Sequence, residues 1–189
     1  MKKFVMIGLL AVLCVVLAIG TTLAFNTSEE TGVNVVTMGN IKIATVQTAI
    51  PDGEEEPIPF EGGYKIIPGK VCSWILEVEN RCDNDAYVRV NVNNIITLAK
   101  GIDGIPDANI MNFNYNTENW QLKDGYYYYK EPLKAGAKTE PLFTKVTFDK
   151  KAGNIYQSAS ADAVVLASAT QVKNNGSNVF EAAGWPDNK

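Results

Sequence analysis

The stretch Cys72-Ser-Trp-Ile-Leu-Glu-Val-Glu79, the polar link Asn80-Arg-Cys-Asp-Asn-Asp85 and the run Ala86-Tyr-Val-Arg-Val-Asn-Val92 together decide the fold class. Apolar and polar residues alternate through both runs, the period of an extended strand with one buried face. Trp74, Leu76 and Val78 share a face of the first run, and Val88, Val90 and Val92 share a face of the second. Two such runs joined by a short polar link predict a β-hairpin.

The same period recurs on either side. Val33-Asn-Val-Val-Thr-Met38 and Ile41-Lys-Ile-Ala-Thr-Val46 read as strands flanking Gly39-Asn40. Residues 50–63, rich in Pro, Gly and Glu, read as a loop, and Pro68-Gly69 as a turn. Further on, Asn119-Trp-Gln-Leu-Lys123 and Tyr126-Tyr-Tyr-Tyr129 flank Asp124-Gly125. Asp-Gly between alternating runs is a strong hairpin signal, because both residues tolerate positive φ. A turn at 134–137 precedes a strand over 141–148, and residues 157–166 read as the last long strand. Residues 97–112 look irregular, with one short helix near 107–111, and helical periodicity is weak elsewhere except over 178–183. About eight or nine short strands with turns between them predict an all-β fold. The architecture expected is an antiparallel jelly-roll or immunoglobulin-like β-sandwich, a single domain with short helices in its loops. No internal repeat is visible.

Composition narrows the chemistry. The chain has 189 residues, 46% hydrophobic and 20% charged, which is globular and not disordered. It contains no histidine. Ser-His-Asp and Cys-His catalysis, His-ligated zinc and histidine-based pH sensing are therefore excluded. Net charge is −4, and no basic cluster exceeds Lys2-Lys3, so nucleic acid is a poor partner. No phosphate-binding glycine loop or nucleophile elbow occurs. Asp103 with Asp107, or Glu118 with Asp124, are the carboxylate pairs that folding could bring together for hydrolysis. All four lie in loops or turns, where acidic residues are expected anyway. Tyr126–Tyr129 is the one aromatic run; on a strand two of the four rings face inward, so core packing is the reading preferred over a ligand platform. Glu54-Glu55-Glu56 and Asp83-Asn84-Asp85 lack the regular oxygen spacing of a calcium loop and read as solvated loop and polar turn. No catalytic residue, cofactor or metal site is assigned. An enzyme is not expected.

The first 24 residues read as an export signal: Lys2 and Lys3, an uncharged apolar run from Phe4 to Ile19, and a small-residue exit at Thr21-Thr-Leu-Ala24. An uncleaved anchor is the competing reading, because no charge appears between Phe4 and Ser28. The short apolar centre favours cleavage between Ala24 and Phe25, leaving 165 residues, 25–189, with no lasting membrane insertion. Losing two lysines moves the net charge from −4 to −6. A second apolar span or a covalent sorting tail is not seen, which points to secretion or to retention at the surface by other molecules. Cys14 leaves with the leader. Cys72 and Cys82 are expected not to bridge each other, since the extended run between them holds the sulfurs apart.

Three stretches, in order, resemble the TasA/camelysin family of secreted proteins from Gram-positive bacteria, exported through a signal peptidase of the SipW type. They are Ala24-Phe25-Asn26 with Thr31-Gly-Val-Asn-Val-Val-Thr-Met-Gly-Asn-Ile-Lys-Ile43; then Ile67-Pro-Gly69 with Val78-Glu-Asn80 and Asp85-Ala-Tyr-Val-Arg-Val90; then Trp120, Asp124-Gly-Tyr-Tyr-Tyr-Tyr129, Leu133, Gly136, Thr139, Leu142-Phe143, Ala161-Asp-Ala163 and Trp185. Cys82 stands where the family more usually has glycine. The resemblance implies a jelly-roll-like sandwich and a subunit of biofilm-matrix fibres, located in the extracellular matrix or at the cell surface. Implied partners are further copies of the chain, the signal peptidase and an accessory matrix or anchoring protein. The family also carries a metallopeptidase label, camelysin. Here the missing histidines and the absence of any zinc spacing speak against it. A monomeric carbohydrate-binding adhesin using Tyr126–Tyr129 is the third reading.

Residues 25–38 suit the role of a polymerising donor strand. Phe25 begins at the cleavage point, and Val33, Val35, Val36 and Met38 fall in a β-branched run bracketed by Gly32 and Gly39. The alternative, left open at this level, is that 33–38 completes its own sheet.

Overall fold

Backbone pairing sorts the alternating runs into two antiparallel sheets. The computed structural model describes residues 41–186 and, for backbone pairing alone, 35–38; the leader, Phe25 and Val33 lie outside the described residues. The first sheet has the order β1 (Val35–Met38), β2 (Ile41–Ala49), β5 (Val71–Asn80), β10 (Phe143–Phe148), β7 (Met111–Phe113), with β3 (Ile58–Pro59) also on β2. The second has the order β4 (Tyr64–Lys65), β11 (Ser160–Gln171), β6 (Ala86–Thr97), β9 (Tyr126–Tyr129), β8 (Trp120–Lys123). Helical structure among the described residues is confined to two single turns, Ala108–Ile110 and Asn154–Tyr156. The fold is all-β and antiparallel, two sheets packed as a sandwich.

One expectation is overturned. Residues 72–79 and 86–92 do not form a hairpin: β5 lies between β2 and β10 in the first sheet, and β6 between β11 and β9 in the second. Their apolar faces meet across the sandwich. Trp74, Leu76, Val78, Val88 and Val90 are all 0% exposed in one core cluster. The reason is where the backbone bonds beside the link go. Thr139 N–H donates to Val78 O (2.9 Å), Asn80 N–H to Ala137 O (2.9 Å), and Ala86 exchanges bonds with Leu133 (3.0 and 2.8 Å). Residues 133–139 thus occupy the ladder that a hairpin partner would need. Buried Asn80 holds the crossing: its Nδ2 donates to Asn84 O (2.9 Å) and Leu133 O (3.0 Å), and its Oδ1 accepts from Cys82 N (3.0 Å). An apolar residue there would remove all three bonds, leaving Leu133 O with only the Ala86 N–H and costing Asn84 O and Cys82 N a part-buried partner, a loss of about 1 kcal/mol or more.

The Asp-Gly hairpin forms as expected. Lys123 pairs with Tyr126 across two residues, with Asp124 at φ 51° and Gly125 at φ 79°. Two positive φ values match the right-handed twist of the flanking strands. The last strand starts and ends later than the sequence suggests: Ser158 turns the chain at φ 62°, and β11 then pairs with β6 over twelve positions. Residues 178–183 form a turn, with Glu181 N–H bonded to Asn178 O (3.2 Å), and no helix.

The core is aromatic at its centre. Trp74 stacks on Phe60 (4.2 Å between ring centres) and meets Phe113 (5.5 Å) and Phe143 (5.9 Å) edge-on. Its Nε1–H donates to Gln47 Oε1 (3.0 Å), which satisfies the one polar atom the ring carries inward. Tyr64 closes the margin of this cluster, its hydroxyl donating to Ser73 O. Burial, with smaller contributions from Cys72 and Asp52, pushes the Tyr64 phenol up to about 12. Burial also raises Tyr115 and Tyr127, which stack at 4.2 Å. A phenol raised in the folded state stabilises the fold fully below the unfolded value near 10, and that stability is lost as pH rises through the folded value. Stability is therefore expected to hold up to about pH 10 and fall between about 10 and 12. Urea titrations at stepped alkaline pH, read beside ultraviolet phenolate absorbance, check this; all eight tyrosines ionising together near pH 10 in the folded protein would contradict it.

Candidate functional site

Strand β1 is the part of the predicted donor segment that the structure describes. It is the outermost strand on its side of the first sheet, and it pairs antiparallel with β2 in four register positions: Val35 with Ala44, Val36 with Ile43, Thr37 with Lys42 and Met38 with Ile41. Strand β2 is nine residues long, and its far end pairs with β3 at Thr48 and Ala49. Residues 35–38 thus pair with β2 of the same copy, as the alternative reading of 33–38 has it for the part described. The inner strands β5 and β10 supply the core on this side of the sandwich. Ala24, Phe25 and Val33 lie outside the described residues.

The tyrosine run is divided between two faces. Tyr127 and Tyr129 pack toward the main core, Tyr129 against Trp120 (5.0 Å). Tyr126 and Tyr128 face the other way, where the chain's own residues 172–186 cover them. Tyr128 is buried with Tyr87 and Val179, and meets Phe180 (5.5 Å) and Trp185 (5.7 Å). Arg89, one residue of the alternating β6, stands in the middle. Its guanidinium lies 4.1 Å from the Tyr126 ring centre and 4.7 Å from that of Trp185, and its Nη2 donates to Pro186 O (3.0 Å). The strap is stapled further by Asn175, whose Oδ1 accepts from Ala183 N (2.7 Å) while its Nδ2 donates to Ala183 O (3.0 Å). The strap was not legible in advance. Its signal was the spacing of Val179, Phe180 and Trp185 in an otherwise polar tail.

Of the four carboxylate candidates, Asp107 and Asp124 serve turns. Asp107 Oδ1 accepts from Asn109 N (2.9 Å) and Asn109 Nδ2 (2.8 Å), capping the turn at Ala108–Ile110. Asp124 sits in the hairpin turn, and Asp103 and Glu118 are exposed. Glu54, Glu55 and Glu56 are exposed in their loop. No group of three or more Cys, Asp or Glu side chains able to hold a metal occurs among the described residues. Cys72 is buried on β5 and Cys82 half-buried, both as free thiols, with Val71–Asn80 extended between them.

A cavity of about 500 Å³ opens at the end of the sandwich where β2 begins, lined among others by Ile41, Cys82, Asp83, Asp85, Val172 and Lys173. Cys82 Sγ accepts from Lys42 N (2.7 Å) and donates to Lys42 O (3.2 Å), tying the link 81–85 to β2. Asp85 Oδ2 pairs with Lys134 Nζ at 2.7 Å and its Oδ1 accepts from Ala135 N (3.3 Å). The lysine hydrogen bond holds the Asp85 carboxyl below the usual carboxylate range. The link 83–85, read from sequence as a plain polar turn, is thus tied to Lys134 and Ala135 by an ion pair and a hydrogen bond. No helix among the described residues is long and apolar enough to cross a membrane.

Comparison of the chain with protein families, with curated proteins and with solved structures finds no match.

Proposed function

We propose that the chain is a secreted structural subunit that polymerises into extracellular biofilm-matrix fibres by donating its N-terminal strand to a neighbouring copy. The observation that carries this reading is the placement of β1. It is an edge strand at the N-terminal side of the fold, bonded on one side only, and its four register pairs with β2 use backbone groups that a second copy's β1 supplies equally well. Exchange of an identical element between copies leaves the hydrogen-bond count unchanged, so it costs little beyond the opening of the hinge. Donation from each copy to the next is heterologous and does not close, which makes a fibre. Cleavage at Ala24–Phe25 is the step that frees the strand.

The resemblance to the TasA/camelysin family supports the same reading, and the absence of histidine counts against the family's peptidase label. The adhesin reading loses ground on a specific point, since Tyr128 is buried against Phe180 and Trp185 and the half-buried Tyr126 ring is occupied by the Arg89 guanidinium. Negative-stain microscopy of purified, concentrated residues 25–189 is expected to show regular filaments. A monodisperse monomer under all such conditions, with or without matrix extract, would overturn the proposal.

A further inference from the structure

One side chain ties both parts of the strap, residues 172–186, to β11. Asn175 Nδ2 donates to Gln171 O (2.8 Å), Thr170 Oγ1 (3.0 Å) and Ala183 O (3.0 Å), while its Oδ1 accepts from Ala183 N (2.7 Å). Thr170 Oγ1 in turn donates to Ala183 O (2.9 Å). The position needs an amide, because an ionised carboxylate accepts hydrogen bonds and donates none. The strap it holds packs Val179, Phe180 and Trp185 with Tyr87, Tyr126 and Tyr128.

The next residue is Gly176, and the two form the only Asn-Gly pair in the sequence. Such a pair is the most labile setting for a side-chain amide, since glycine has no Cβ to shield its nitrogen from the neighbouring carbonyl carbon. Here the fold itself requires the glycine. Its φ is 74°, and a Cβ would come 3.0 Å from Glu181 C and 3.1 Å from Ala182 N. Gly176 is exposed, and its N–H donates to no group among the described residues. The attacking nitrogen is therefore free, and the four bonds to the Asn175 amide restrain its target. A second feature favours opening of the strap. Arg89 Nε is buried with no acceptor among the described residues, while the same guanidinium stacks on Tyr126 and Trp185. An unpaired buried donor costs the closed state free energy that water returns when the strap lifts.

We propose that Asn175–Gly176 is a self-modifying latch: deamidation at Asn175 as the protein ages releases the strap and uncovers the face formed by Tyr87, Arg89, Tyr126 and Tyr128. The Gly176 nitrogen attacks Asn175 Cγ, and the new N–C bond closes a succinimide ring. Nδ2 leaves as ammonia, taking the proton that the Gly176 amide gives up through solvent. Water then opens the ring at either carbonyl, which yields aspartate or, with an extra carbon in the backbone, isoaspartate. Aspartate still accepts from Ala183 N, but its second oxygen faces Gln171 O and Ala183 O with nothing to donate. With the strap closed the hydrogen bonds slow the attack, so the rate follows the population in which the strap is lifted. The latch operates within a single copy and is independent of fibre assembly.

The purified protein, aged at mildly alkaline pH and mapped by mass spectrometry, is expected to accumulate aspartate and isoaspartate at position 175. It should do so about tenfold or more slowly than a synthetic peptide of residues 172–186, whose amide is unrestrained. Trp185→Ala removes one ring from Arg89 and Tyr128 and is expected to bring the rate in the protein toward that of the peptide. Asn175→Asp is expected to open the strap without ageing. Amide exchange at Phe180 and Glu181, both bonded within the strap, should speed up about tenfold or more, and Tyr126 and Tyr128 should become open to nitration. The amides of β5 and β10 should keep their protection. Asn175 that stays intact in the aged protein, or a rate that Trp185→Ala leaves unchanged, overturns the gated reaction. Asn175→Asp with wild-type exchange and nitration, or with protection lost throughout β5 and β10 as well, overturns the latch.

Discussion

Trp74→Ala is expected to lose roughly 3–5 kcal/mol of folding stability, the range for removing a large aromatic side chain from a packed core. The ring is 0% exposed, and it touches Phe60 and Tyr64 on one side and Phe113 and Phe143 on the other. Those partners come from different loops and strands, so the hole cannot close by a shift of one element. Gln47 also loses the donor for its Oε1, which adds a smaller penalty for a part-buried acceptor. A domain of ordinary stability has only about 5–15 kcal/mol in hand, so the variant sits close to unfolding at room temperature. Urea titration should show a lower midpoint at an unchanged slope. Trp74→Phe keeps most of the ring and loses the hydrogen bond; it should fall well short of the alanine loss. Equal losses from both variants would mean that the hydrogen bond, and not the packing, carries the site.

Removal of residues 25–38 is expected to abolish filament formation completely and to leave a soluble, folded protein. The deleted part of the sheet is β1, an edge strand with four register pairs, while β5 and β10, which bury Trp74, Leu76, Phe143 and Val146, are inner strands. Circular dichroism should therefore keep its β signature with a modestly lower melting temperature. The exposed margin of β2 is then an acceptor without a donor. A synthetic peptide of residues 25–38 should bind it at one to one and, added to the full mature chain, should shorten filaments by capping growing ends. A truncated protein that still polymerises normally would show that the fibre contact does not run through β1.

Local alternation was enough to identify the long strands, but not β3, β4 and β7, which at two or three residues are too short to show a period. Strands such as Val71–Asn80, Ala86–Thr97 and Phe143–Phe148 are readable because side chains on an extended backbone point to opposite faces in turn, so one buried face writes itself into the order of residues. The Asp124–Gly125 turn is readable for a similar reason, since the required positive φ restricts which residues fit. The absence of histidine removed whole classes of chemistry with no structure at all. What neighbours in sequence could not decide was which strand lies beside which. Apolar alternation in 72–79 and 86–92 demands only that both faces reach a core, and facing each other across two sheets satisfies that as well as lying side by side in one. Residues 133–139, some fifty positions away, settled it by taking the backbone bonds of Val78, Asn80 and Ala86. The same holds for the covered tyrosine face, where Arg89 meets Pro186 from 97 positions away. Periodicity is a local property of the backbone, whereas pairing and surface character depend on contacts between distant segments, and only the folded chain brings those together.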